Sequence, residues 1–142
     1  MIQLFTELQE KKNVRSNLSA LRASLKEATE EQKAQAIEFV RGHEDLVFGF
    51  LQEEDAKTRK NAALLLGDLA VQNALQPLWK AYTREQTLFV KSAYLEAMKA
   101  LHAEEILSQL KDRLAELEGE PVTEENRKHW EAELRALRAI LI

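Results

Sequence analysis

Arg59, Lys91 and Arg127 are the side chains whose type and spacing first suggest chemistry in this sequence, each a strong cation near the start of a helical segment. Free backbone N–H groups and the helix dipole favour negative charge at such positions. Joined by Lys57 and Lys60, they form a possible hold for phosphate or carboxylate, and every phosphate contact would make binding fall with salt. The competing role is structural: the same cations can pair with acids in the turns, such as Asp55 and Glu85, and tie one helix pair to the next. That inter-repeat role is the one expected of Asp55, Arg59 and Arg127. Other chemistry is poorly served. His43, His102 and His129 are far apart, with no second histidine or carboxylate at metal-ligand spacing, and are read as solvated or capping residues. Glu104-Glu105 and Glu124-Glu125 are explained as acids at helix starts, and a general acid/base pair would need burial that these runs do not suggest. No triad is recognisable, so no catalytic residue, metal or cofactor is expected.

The composition points the same way. The chain has 142 residues and no cysteine, which rules out disulfides and thiolate sites and is compatible with a reducing cytoplasm, the expected location. Four glycines and two prolines leave few breakers among abundant Leu, Ala, Glu, Lys and Gln, so helix is expected throughout a single domain. No apolar run is long enough for a membrane span, and the start Met1-Ile2-Gln3-Leu4-Phe5-Thr6-Glu7 lacks the basic charge of a signal peptide. The net charge of −4 is unevenly spread: residues 1–29 carry +2, 30–56 carry −6, 57–103 carry +4 and 104–142 carry −4. The band at 57–103 is mildly basic, well short of the surface of a strong nucleic-acid binder.

The elements that must position these groups come from an internal repeat. Thr58–Leu69 aligns with Val90–Leu101 at an offset of 32, and the same offset carries Leu46 to Leu78 to Leu110 and Phe50 to Tyr82 to Leu114. A fixed period of that length with two amphipathic patterns per period is the mark of a helical repeat array. Earlier in the chain, Ile2, Phe5 and Leu8, then Val14, Leu18, Leu21 and Leu25, keep helical spacing and read as two helices, or one bent near Asn13. Thr29-Glu30-Glu31-Gln32 reads as a capping box opening the helix that Gly42 ends. Asn73 is the expected cap of the helix holding Leu75, Leu78, Trp79 and Tyr82. The units are therefore placed at 42–71, 72–103 and 104–142 behind divergent helices at 1–41, seven or eight helices in all. Trp79 and Trp130 fall on apolar stripes and are expected in the core. The last helix runs out on Ala139-Ile140-Leu141-Ile142 without a cap, so it folds back, self-associates, or continues into a longer protein; the last is the favoured expectation.

Thr58-Arg59, Ala62, Leu66-Gly67 and Leu69 resemble the second helix of the HEAT family, which reads roughly Val-Arg, a buried small residue, Leu-Gly and a final Leu. The second copy keeps Val90-Lys91 and Leu101 but has Tyr94 for the small residue and Lys99 for Gly, so packing there must differ. The resemblance spans about Gly42 to Leu137 and implies an all-α fold, a right-handed α-α superhelix whose second helices line a binding surface. On that surface Lys57, Lys60, Asn61, Leu64, Phe89, Lys91, Ser92 and Glu96 are the candidate partner-binding residues. Leu64 and Phe89 are candidate anchors, although burial of Phe89 as a plug at the repeat junction is the favoured placement. The expected function is non-catalytic scaffolding of a protein or peptide. More narrowly, Glu54–Ala63 with Glu85–Ser92 looks like the N-terminal HEAT portion of some bacterial RNA methyltransferase-like proteins, which implies an RNA-positioning role. No Gly-rich loop for a methyl donor accompanies it. Helical-repeat DNA glycosylases, which use aromatics on a concave surface, supply a third reading.

Overall fold

The computed structural model describes residues 2–102 and 104–141, all helix, turn and loop with no strand among them. Nine α-helices follow in order: α1 (Ile2–Gln9), α2 (Val14–Leu25), α3 (Glu30–Gly42), α4 (Glu44–Phe50), α5 (Ala56–Asp68), α6 (Leu75–Arg84), α7 (Leu88–Ala100), α8 (Leu107–Gly119) and α9 (Arg127–Leu141). The count exceeds the expected seven or eight. Lys11 and Asn13 take left-handed φ values of 57° and 47° and divide the first stretch in two, and His43, at φ −137°, separates α3 from α4. The box at Thr29 forms as expected: its hydroxyl accepts from Gln32 N–H, and Gln32 Oε1 accepts from Thr29 N–H.

The offset of 32 reappears in the backbone. Helices α5 and α7 start and stop 32 residues apart, as do the 3-10 turns Gln72–Ala74 and Glu104–Ile106 and the starts of α6 and α8. Ala70 and His102, again 32 apart, both adopt left-handed φ, 52° and 53°. After α5 this conformation closes a Schellman motif, with Val71 N–H donating to Leu66 O and Ala70 N–H to Gly67 O. Glycine normally fills that position because a Cβ is penalised there. Replacing Ala70 with glycine is therefore expected to stabilise the protein by about 1 kcal/mol, read as a higher urea midpoint at unchanged m. Asn73 does not cap α6. It lies inside the 3-10 turn, and its amide donates to Glu44 instead.

Packing sorts the helices into two rows. α2, α5, α7 and α9 contact one another in sequence, while α1, α4, α6 and α8 each pack against the helix that follows. Arg15 near the start of α2 pairs with Asp55 at the start of α5, and Arg22 near its end pairs with Asp68 at the end of α5, so these two helices run parallel. Gly67 near the end of α5 faces Ala97 and Ala100 near the end of α7, which brings these two helices close together. One apolar core runs through both rows, and Leu66 and Met98, equivalent by the offset, are each 0% exposed. Helix α3 joins through aromatic contacts: Phe39 stacks between Phe5 and His43, with ring centroids at 4.5 Å to each. His43 is thus structural, its Nδ1 bonded to Phe39 O and its Nε2 to the Gln9 amide.

Candidate partner-binding surface

Two polar clamps hold successive helix pairs in register. In the first, Arg59 of α5 reaches past its own turn to Glu85, with Nε–Oε1 at 2.8 Å and a second NH2–Oε2 bond at 3.0 Å. Its NH1 also donates to Glu53 O and Glu54 O. Tyr94 hydroxyl donates to the same carboxylate from below. Burial pushes the Glu85 carboxyl up, but the Arg59 hydrogen bonds and charge and the Thr87 N–H outweigh it and hold the group below the usual carboxylate range. The expected partnership of Arg59 with Glu85 is present. Asp55 makes its tie to another helix pair through Arg15 of α2 rather than through Arg59 or Lys91, and it also caps α5, accepting from Thr58 N–H and hydroxyl.

The second clamp closes on Glu133, 3% exposed in the middle of α9. Arg113 of α8 grips it bidentately at 2.9 and 3.1 Å, Tyr82 of α6 donates its hydroxyl, and Lys91 of α7 approaches to 3.5 Å. Here too burial raises the carboxyl, and the bonds from Arg113 and Tyr82 with the charges of Lys91 and Arg113 win and lower it. Burial and the neighbouring carboxylate raise the Tyr82 phenol, which stays a neutral donor. Lys91 thereby leaves the open surface: its side chain is 14% exposed, and its Nζ sits 5.6 Å over the Tyr82 ring. Arg127 lies exposed at the start of α9 and makes no ion pair among the described residues, so it does not act as the third clamp.

The remaining candidates divide by helical phase. Lys57, Ser92 and Glu96 are exposed and Lys60 and Leu64 half-buried, on the side of α5 and α7 away from the first row. Asn61, expected beside them, is buried, since it lies one residue from Ala62 on the inward arc. Phe89 is 46% exposed and does not plug the junction, because the inward arc of α7 is set by Val90, Tyr94, Ala97 and Met98. By the offset of 32 between α5 and α7, Lys57 is equivalent to Phe89 and Lys60 to Ser92. On α9, Lys128, Glu131, Arg135 and Arg138 form one exposed stripe at spacings of three, four and three. Trp79 and Trp130 are half-buried against the core, and Trp130 Nε1 donates to Leu117 O.

Comparison with family models, with curated proteins and with solved structures finds no match for this chain.

What the sequence conceals is how the fold sorts charge. The row α2, α5, α7 and α9 holds eleven lysines and arginines against four aspartates and glutamates, a net +7, while the rest of the chain holds nine against twenty, a net −11. Sums over contiguous segments mix the two rows and hide this. Glu133, Arg113, Tyr82 and Tyr94 also went unrecognised as clamp residues. Their one signal was an acid at Glu133 within an apolar stripe. A cleft of about 730 Å³ opens at the turn end of the stack, between Phe48, Leu51, Pro77 and Ala81 and over the Arg59–Glu85 pair. A smaller one of about 400 Å³ lies over the second clamp beside Trp79 and Asp112. No helix among the described residues is long and apolar enough to cross a membrane.

Proposed function

We propose that this chain is a HEAT-like α-solenoid, a right-handed superhelix, that acts as a non-catalytic binding module for a protein or peptide. The partner docks on the open side of the second-row helices α5 and α7. The repetition of helix ends, left-handed caps and buried positions at an offset of 32 supports the solenoid reading. The single observation that carries the binding role is Phe89. It is an aromatic ring 46% exposed on the same open side as half-buried Leu64, which lies about two helical turns further along, and the surface is otherwise made of Lys57, Lys60, Ser92 and Glu96. An apolar anchor set in a polar rim is the anatomy of a binding hot spot. The clamps beneath it hold the helices rigid, which lowers the ordering cost of association.

The expected result for Phe89→Asp and for Leu64→Asp is partner affinity weakened at least about tenfold, with the circular dichroism melt of Phe89→Asp unchanged within a few degrees. Affinity that survives both substitutions would rule out this surface as the docking face.

A further inference from the structure

We infer that the partner taken by this surface is an acidic amphipathic helix lying across α5, α7 and α9, an inference that rests on the proposed role of the Phe89 face. Four cations of the second row are neutralised internally: Arg15 by Asp55, Arg22 by Asp68, Arg59 by Glu85 and Lys91 by Glu133. Lys57, Lys60, Lys99, Lys128, Arg135 and Arg138 make no ion pair among the described residues, and all stand on α5, α7 and α9. Crowding unneutralised like charge on one face of a chain whose net charge is −4 costs self-repulsion, and it focuses positive potential where the apolar anchors are.

The pattern of the face selects the kind of anion. Exposed Glu96 stands three residues before Lys99 on α7, and exposed Glu131 lies between Lys128 and Arg135 on α9. A nucleic-acid strand carries a charge about every 3.4 Å along its axis and cannot omit the phosphates that would meet them. A peptide helix can place neutral or basic residues at those two points and acids opposite the lysines and arginines. Its apolar stripe would bury Phe89 and Leu64, the helix-in-groove mode of recognition. Three neighbouring helices about 9 Å apart give a track of about 20 Å, which roughly 13 residues of helix span.

The test uses a fluorescein-labelled peptide of about 18 residues with leucines at helical spacing on one face and glutamates flanking them, followed by fluorescence anisotropy at an ionic strength of about 0.05 M. Its controls are the same peptide with every Glu replaced by Gln, and oligouridylate. The acidic peptide should bind and weaken with added salt. The Gln peptide, and the Lys128→Glu/Arg135→Glu protein with the acidic peptide, should each bind at least about tenfold more weakly. Absence of binding by the acidic peptide, equal affinity for the Gln peptide, or tighter binding of oligouridylate would each overturn the inference. If the Gln peptide binds equally and Phe89→Asp abolishes it, the docking face stands and only its acidic partner is lost. If Phe89→Asp leaves the acidic peptide's affinity unchanged, the docking face itself is wrong.

Discussion

Replacing Glu133 with alanine should cost about 3–5 kcal/mol of folding stability, because it strips the shared acceptor from a buried polar cluster. Arg113 would keep its charge with only the exposed Glu116 beside it, Lys91 would lose its carboxylate, and the Tyr82 hydroxyl would be left buried without an acceptor. Helices α6, α7, α8 and α9 meet at this one carboxylate, so its removal loosens two helix pairs at once. Glu133→Gln keeps the volume and one acceptor oxygen and should cost less. The pH dependence follows from the sign of the shift. The folded-state carboxyls of Glu85 and Glu133 titrate below their ordinary value of 4.5, so their stabilisation is complete above that pH and is lost as pH falls through the depressed values. Denaturant titrations should therefore show a large gap between wild type and Glu133→Gln at neutral pH that narrows steadily on acidification. A gap that stays constant from neutral to acid pH would mean that the charge of Glu133 contributes nothing.

Gly67→Val is expected to be nearly as damaging, at about 3 kcal/mol from overpacking. A Cβ at Gly67 would stand 3.0 Å from the Ala97 Cα and 3.3 Å from the Ala97 Cβ. The obstacle is backbone of the neighbouring helix, which can yield only if α5 and α7 move apart. Alanine would meet the same contact but gain about 1 kcal/mol of helix propensity, so its net cost should be smaller. The two variants should rank Val worse than Ala in thermal unfolding. The reverse order would show that α5 and α7 do not approach at this point.

Leu66-Gly67 also marks where the fold was most legible. Small Gly67, apolar Leu66 and the 32-residue echo at Met98 are local features, and close packing of two helices needs them at fixed spacing. Capping at Thr29 was equally plain because the box is written in four consecutive residues. Helix ends at Ala70 and His102 were obscure, since neither carries the glycine that usually announces a left-handed cap. Asn73 misled for a related reason: a 3-10 turn precedes α6, and the side chain is taken by Glu44. The Arg59–Glu85 clamp was foreseeable from position in the repeat. The Glu133 clamp was not, because Arg113 and Tyr82 reach it from helices 20 and 51 residues away in sequence. Phe89 and Asn61 exchanged their expected surroundings through helical phase alone, where one residue turns a side chain by about 100°. Charge segregation needed the rows themselves, since basic α2 and α7 are each followed in sequence by an acidic stretch that offsets them in any contiguous sum.

The most direct measurement is a heteronuclear NMR titration of the isotope-labelled protein with the acidic amphipathic peptide. Shifts concentrated at the amides of Lys60, Leu64, Phe89, Ser92, Glu96 and Arg135, leaving the cleft at Phe48 and Pro77 unmoved, are the predicted result. Shifts centred on that cleft or on α4, α6 and α8, with Phe89 and Ser92 unaffected, would contradict a binding face built from the second-row helices.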